Sequence, residues 1–400
     1  MFIVHPTIQQ RRKMNQVISS ENRPIKMWLD EIEENALTQA KNMANLPFVH
    51  KHVALMPDAH MGYGMPIGGV LATKGVIIPN AVGVDIGCGM CAMRTNIEDA
   101  DSETLKQIMS QLRKLIPVGF NWHKKAQDEK YMPQVDELPK IVERHITKAQ
   151  RQIGSLGGGN HFIEIQHGSD GFIWVMIHSG SRNLGNQVAQ HYNKIAKSLN
   201  ERWHSTVPAS YDLAFLPIEC DEAHAYMKEM NFCVDFAFAN RRLMMERVQN
   251  AFLEVFKGDV KFDELINIVH NYAAWENHFN ENVLVHRKGA TRARLGETGI
   301  IPGSQGTKSY IVEGLGNSES FESCSHGAGR VMGRKQAQRE LDLVTEIKRL
   351  DDKGIVHGIR NRKDLDEAAG AYKDIDTVMA NQTDLVKIKV ELEPLVVVKG

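Results

Sequence analysis

Apolar positions along the chain recur with two different periods. In ETLKQIMSQLRKLI, residues 103–116, Leu105, Ile108, Met109, Leu112, Leu115 and Ile116 follow one another at helical spacing. They predict an amphipathic helix with one buried face. FIWVMI, residues 172–177, is short, apolar and rich in β-formers, which predicts a buried strand. GVLATKGVII, residues 69–78, reads as strand broken at Gly75. Residues 221–256 predict a long helix or two consecutive ones. The terminal LVKIKVELEPLVVVKG reads as strand, and Pro394, which has no N–H to donate, predicts an edge or a bend. This alternation predicts an α+β class: one large mixed α/β domain over residues 1–400, with a topology the pattern does not reveal. No repeat, low-complexity tract or linker interrupts it.

Composition narrows the class. With 42% hydrophobic and 24% charged residues the 400-residue chain reads as globular. No apolar run approaches the ~18 residues that span a bilayer. The start, MFIVHPTIQQRRKM, lacks an apolar core followed by a cleavage site, so no secretion signal is expected. Five cysteines, an odd number, argue against a disulfide framework and for free thiols in a reducing cytosol. A net charge of -1 lacks the basic excess usual in nucleic-acid binders. One local exception, HRKGATRAR at residues 286–294, carries four positive charges and no acid, and is expected as a solvated loop face, with a nucleic-acid contact as the alternative.

The glycines cluster around chemistry-bearing side chains, in PDAHMGYG, VGVDIGCGM, GGGNHFIE, HSGSR, IPGSQG and CSHGAGR. Glycine permits positive φ and close backbone approach. Several such loops, each with a ligand-type residue, suggest one constructed site. Asp85 and Cys88 share a tight turn. His161 follows a triple glycine and Asn160, His178 ends an apolar strand, and His270 precedes Asn271 in HNYA. Together they form a mixed oxygen, sulfur and nitrogen set able to hold one or two divalent ions. Cys88 and Cys91 also form a C-x-x-C pair, open to a redox or zinc reading. No second pair with zinc spacing exists, so Cys91 is expected as an ordinary apolar residue. PGSQGTKS could form a backbone nest for phosphate, without the spacing of a P-loop. SHGAGR runs into the helical-looking RVMGRKQAQREL, so His326 is expected at a helix entrance. There it is either a cap or a nucleophile toward phosphorus.

Taken together, MPDAHMGYGMPIGGV, VGVDIGCGM, GGGNHFIE, HSGSR, HRKGA, SHGAGR and the terminal VVVKG resemble the RtcB family of RNA-splicing ligases. The resemblance covers nearly the whole chain from about Pro24; residues 1–23 carry no matching motif. It implies an enzyme that uses GTP and two Mn2+ ions to join RNA carrying a 3′-phosphate or 2′,3′-cyclic phosphate to a 5′-hydroxyl end. It implies metal ligation by Asp85, Cys88, His161, His178 and His270, with Cys88 bridging. By ligand softness alone zinc would be expected. It implies that His326 carries GMP. The guanylate pocket would comprise Asn160, His161, Phe162, Ile163, Glu164, Asn271, Pro302, Gly303, Ser304, Gln305, Ser309, His326, Gly327, Ala328, Gly329 and Lys399. Glu164 could accept from guanine N1–H and N2–H, and Lys399 could donate to O6. Asp58, Arg182 and Arg330 are candidate phosphate or RNA contacts, Arg182 as a bidentate one. The chain departs from the family pattern at Gln305, where methionine is expected, and at Ala59, where valine is common. Two other readings remain open: a two-metal phosphoesterase acting on RNA ends without guanylylation, and a non-enzymatic RNA-binding protein.

Overall fold

A computed structural model describes residues 14–400, so the reading of the first thirteen residues lies outside the described part. In chain order the strands begin with β1 Gln16–Ile18, β2 Ile25–Met27, β3 Val49–His60, β4 Ile67–Thr73, β5 Val76–Ile77, β6 Gly89–Arg94, β7 Phe162–Gly168 and β8 Ile173–Ser179. They continue with β9 Leu216–Pro217, β10 Ile266–Val269, β11 Asn271–His278, β12 Glu281–Lys288, β13 Ala290–Arg292, β14 Thr298–Ile301, β15 Ser309–Gly314, β16 Ser323–Ser325 and β17 Val386–Lys399. The helices are α1 Glu34–Ala44, α2 Pro79–Val82, α3 Ser102–Leu115, α4 Lys140–Gln152, α5 Arg182–Arg202, α6 Asp221–Val255, α7 Arg334–Glu340, α8 Leu343–Asp351 and α9 Ile375–Ala380. None of the described helices is long and apolar enough to cross a membrane.

One mixed sheet, with β2 and β3 parallel, and one antiparallel sheet carry the α+β architecture. One runs β1-β2-β3-β4-β12-β11, the other β10-β6-β8-β7-β17-β15-β14. Period-two burial separates the faces of the second sheet. Cys91, Ile163, Ile165, Val175 and Ile177 pack against α3 and α6, while Met90, Ala92, Phe162, Trp174 and Met176 face the other way. Cys91 is thus the apolar residue expected. Between β10 and β11 the chain crosses from the second sheet to the first, and His270 is the single residue at that step.

The helix expected at 103–116 is α3. Asp101 caps it by accepting from Thr104 N–H at 2.7 Å. Leu105, Ile108, Met109, Leu112 and Ile116 are buried, but Leu115 turns outward in the last turn. The long segment from 221 is one helix of 35 residues, α6, bordering two apolar clusters along its length. Strand 69–78 does break at Gly75, whose φ of +70° makes the turn into β5. Pro394 is not at an edge: β17 lies between β7 and β15. The bend alternative holds, because the β7–β17 register shifts between Pro394 and Val396.

HRKGATRAR is not a solvated loop. It forms the end of β12 and all of β13, with His286, Arg287 and Lys288 buried. Arg287 reaches both oxygens of Glu276 on β11. Arg292 pairs with Glu297, and Arg294 with Glu322. Carboxylates pair with its three arginines and Lys288 donates to backbone carbonyls, so each cation of the run has an internal partner.

Candidate active site

Five loops meet where the two sheets converge. VGVDIGCGM forms the turn entering β6. Gly87, at φ +77°, brings the turn against α6, where an added Cβ would lie 3.0 Å from Ala237 Cβ and Cys233 O. Asp85 is half-buried at this turn, and Cys88 is buried beneath it. His161 enters β7, His178 sits near the end of β8, and His270 donates its backbone N–H to Cys88 O at 2.9 Å.

The potential ligand atoms form two sets, Asp85–Cys88–His161 and Cys88–His178–His270, each within 4.8 Å. Cys88 is common to both. Its Sγ lies 3.5 Å from His161 Nε2 and 3.3 Å from His178 Nε2. The other ring nitrogens of these histidines face backbone carbonyls, His161 Nδ1 toward Leu156 O at 3.1 Å and His178 Nδ1 toward Asn160 O at 3.0 Å. That outer contact fixes Nε2 as the free donor, as metal-binding histidines require. His270 Nδ1 is buried with no partner, an orphan that a cation would satisfy. The donor set therefore fits one cation in each group, with Cys88 between them. Burial and nearby Asp85 push the Cys88 thiol well above its usual range, so a thiolate there needs compensating positive charge. Burial likewise holds His178 and His270 neutral, the state that ligates. For Asp85, burial disfavours the charge, but hydrogen bonding and charge from His161 outweigh it and hold the carboxyl low.

His326 shares this cavity. The ring centroids of His161 and His178, His178 and His270, and His270 and His326 are 5.3, 5.2 and 4.8 Å apart. His326 does not open a helix: it follows β16, and α7 begins only at Arg334. The intervening glycines prevent the helix from reaching back. Its surroundings are set instead by Asp58, fully buried on β3. Asp58 Oδ2 accepts from the backbone N–H groups of His326 and Gly327 at 3.1 and 3.2 Å, and from His326 Nδ1 at 2.6 Å. A carboxylate on Nδ1 keeps the proton there and leaves the lone pair on Nε2. Asp58 is therefore a positioning residue beneath the imidazole, not a contact for RNA.

A cavity of about 900 Å³ joins the two groups, within the range of small-molecule sites. Asn160, His161, Phe162, Glu164, Asn271, Pro302, Gly303, Ser304, Gln305, His326, Gly327, Ala328, Gly329 and Lys399 all line it. Strand alternation turns the Ile163 side chain into the core instead. Ser309 lies under the loop, its Oγ accepting from Gly303 N–H at 3.2 Å. Gln305 directs its amide to Glu367 O at 3.0 Å, so its side chain braces the wall. Burial pushes the Glu164 carboxyl up to about 8, while Gln166 and Lys399 pull it back. Burial lowers Lys399, whose Nζ donates to Gly159 O at 2.9 Å.

The two candidate arginine contacts line the cavity and are partly engaged by the protein. Arg182 lines the cavity, but its Nε donates to Ser155 Oγ at 3.0 Å and its Nη2 to Gly119 O at 2.9 Å. The Nε–Nη2 edge is therefore occupied by the protein. Arg330 binds Glu367, Tyr372, Met332 O and Asp366 O, so it braces a loop.

Sequence reasoning missed three participants. Lys288 is buried in the cavity wall, pushed down to about 7 by burial, and donates to Tyr63 O at 2.6 Å and Asn80 O at 3.2 Å. Glu367 anchors both Arg330 and Arg334. Arg241, fully buried on α6, donates to Gly87 O and Ser179 O at 3.0 and 2.8 Å and so holds the metal turn. A charged residue on an otherwise buried helix face was the available signal for Arg241. Lys288 stood in the motif HRKGA without a role assigned to it, and Glu367 carried no signal.

The sequence model of a family described as "tRNA-splicing ligase RtcB" matches residues 39–400. The chain is 40% identical over 415 residues to the RNA-splicing ligase RtcB of Escherichia coli (strain K12), covering 96% of this chain and 99% of that protein. It is 32% identical over 444 residues to the tRNA-splicing ligase RtcB of Thermococcus kodakarensis, covering 92% of each. Against RNA-splicing ligase RtcB homolog 2 of Entamoeba dispar it is 33% identical over 443 residues, covering 92% of this chain and 84% of the other. With near full-length matches, the chain belongs to the RtcB family of RNA-splicing ligases.

Proposed function

We propose that this protein is an RNA ligase that joins a 3′-phosphate or 2′,3′-cyclic phosphate end to a 5′-hydroxyl end, using GTP and two Mn2+ ions. In this reading the chain acts in the cytoplasm as one ligase domain, and its free thiols suit a reducing compartment. The observation that carries the reading is the shared cavity: two ligand sets joined through Cys88 beside an imidazole whose Nδ1 is held by Asp58. Asp85, Cys88, His161, His178 and His270 would hold the cations, which supply positive charge against the phosphate oxygens.

His326 Nε2 attacks the α-phosphorus of GTP. The bond to the bridging oxygen breaks, and pyrophosphate leaves with the electron pair. Asp58 accepts from Nδ1–H throughout, keeps that proton on the ring and stabilises the charge that develops there. The terminal phosphate of the RNA then attacks the same phosphorus, frees His326 and becomes RNA-ppG. The 5′-hydroxyl oxygen attacks the RNA phosphorus of that linkage, gives up its proton, and GMP departs. A cyclic end must first take up water to become a 3′-phosphate. Glu164, as carboxylate, accepts from guanine N1–H and N2–H, and Lys399 donates to O6.

A phosphoesterase would need neither the His326–Asp58 pair nor a guanine acceptor. Incubation with α-labelled GTP and Mn2+ followed by denaturation distinguishes the two. Acid-labile label is expected on the protein and none on His326→Ala. Asp58→Asn is expected to slow labelling by about 100-fold or more, because an amide can stabilise the wrong tautomer. An unlabelled wild type, or equal label on His326→Ala, refutes the mechanism.

A further inference from the structure

Five exposed apolar residues line the same cavity: Met61, Tyr63, Val84, Phe120 and Val331. Tyr63 is 74% exposed and Phe120 100% exposed. Such exposure on a mobile loop would mean little. Here the backbone on either side of each ring is pinned. Gly119 donates its N–H to Gly157 O at 2.9 Å, and Arg182 Nη2 reaches the carbonyls of Gly119 and Asn121. Lys288 Nζ and Met65 N–H both donate to Tyr63 O, at 2.6 and 2.8 Å. Gln39 brackets Gly62, accepting from its N–H at 3.0 Å and donating to its O at 2.6 Å. Two aromatic rings are thus held in solvent by ordered backbone at a site whose substrate is large and polar.

The cations of the wall complete the picture. Arg182, Lys288, Arg330, Arg334 and Lys399 each already donate to a carbonyl or a carboxylate of the protein. The chain as a whole carries a net charge of -1. The chain thus brings no basic excess to the phosphates, whose attraction usually dominates nucleic-acid affinity. Stacking on aromatic rings supplies affinity without charge and without sequence preference, because every base has a π-face. Rings fixed in advance also avoid the entropy of ordering on binding.

We propose that Phe120 and Tyr63 form a base-stacking rim that grips the single-stranded nucleotides flanking the reacting RNA ends. This rests on the RNA-ligase reading above and adds the contacts that hold the RNA.

The test uses the full chain and 3′-phosphorylated oligoribonucleotides bearing 2-aminopurine at the last base, without GTP. Binding is expected to quench the wild-type signal. Phe120→Ala and Tyr63→Ala are each expected to bind roughly ten-fold more weakly and to relieve quenching, in line with the energy of one stacked base. Phe120→Trp keeps a ring and should retain both affinity and quenching. An oligonucleotide abasic at that position should bind wild type and Phe120→Ala equally. Unchanged affinity in both alanine variants, or the same loss on the abasic RNA, overturns the rim; the first outcome would leave the exposed rings to a protein partner. Failure of the ligase reading is separable, because it shows as absent GMP label on the wild type whatever the RNA affinities are.

Discussion

Glu164 shows how one carboxyl couples folding to ligand binding. Burial raises it from the usual 4.5 to about 8. The folded protein therefore keeps this proton where the unfolded chain has lost it. The stabilising contribution is complete below about pH 4.5 and drains away as pH climbs toward 8. The same proton must leave before the carboxylate can accept two guanine N–H groups. GTP affinity is thus expected to rise between about pH 6 and 8, with a proton released on binding, and Glu164→Gln should flatten the rise. Calorimetry in two buffers of different ionisation enthalpy reads that proton directly; no release would contradict the assignment. At this scale the ligand types were legible, because oxygen, sulfur and nitrogen donors on glycine-rich turns are an unusual local combination. The Asp58–His326 contact was not legible, since 268 positions separate the partners and nothing local marks either as half of a pair.

Among the elements, the turn into β6 depends on α6 more than on its own sequence. Gly87 at φ +77° sits where a Cβ would press on Ala237 Cβ, Cys233 O and Val234 Cα. Gly87→Ala is expected to cost roughly 2 kcal/mol of stability from backbone strain and crowding. It should also weaken metal binding, since Cys88 follows directly. Urea unfolding and bound-metal analysis after dialysis check both; normal stability and metal content would mean that the helix yields. The periodic elements were readable: α3 and α6 bury long apolar stripes, and strand 172–177 is apolar throughout. What pattern could not convey was which element covers which. HRKGATRAR looks solvated until Glu276 on β11 and Glu297 and Glu322 in loops meet its arginines. Pro394 looks like an edge residue until a bulge accommodates it between two neighbours.

For the molecule as a whole, charge placement sets the response to salt. Net charge is -1 and the cavity cations are engaged internally. Binding of a 3′-phosphorylated oligonucleotide is therefore expected to weaken only gently with salt. The slope of log affinity against log salt should be no steeper than about -2, the release expected from roughly three single-strand phosphates. A titration between about 50 and 200 mM salt measures it, and a much steeper slope would mean that a basic surface elsewhere holds the RNA. Convergence of the loops lies at this scale too. It arises from two sheets joined through His270, an arrangement without a local signature in the chain.

The position of β17 has a consequence for assembly. It pairs with β7 on one side and β15 on the other and delivers Lys399 to the cavity. The sheet closes only when this strand slides between two partners that lie far from each other along the chain, a non-local pairing of the kind that forms slowly. The pocket is therefore finished only with the closure of that sheet, and refolding should recover helical signal before it recovers the cavity.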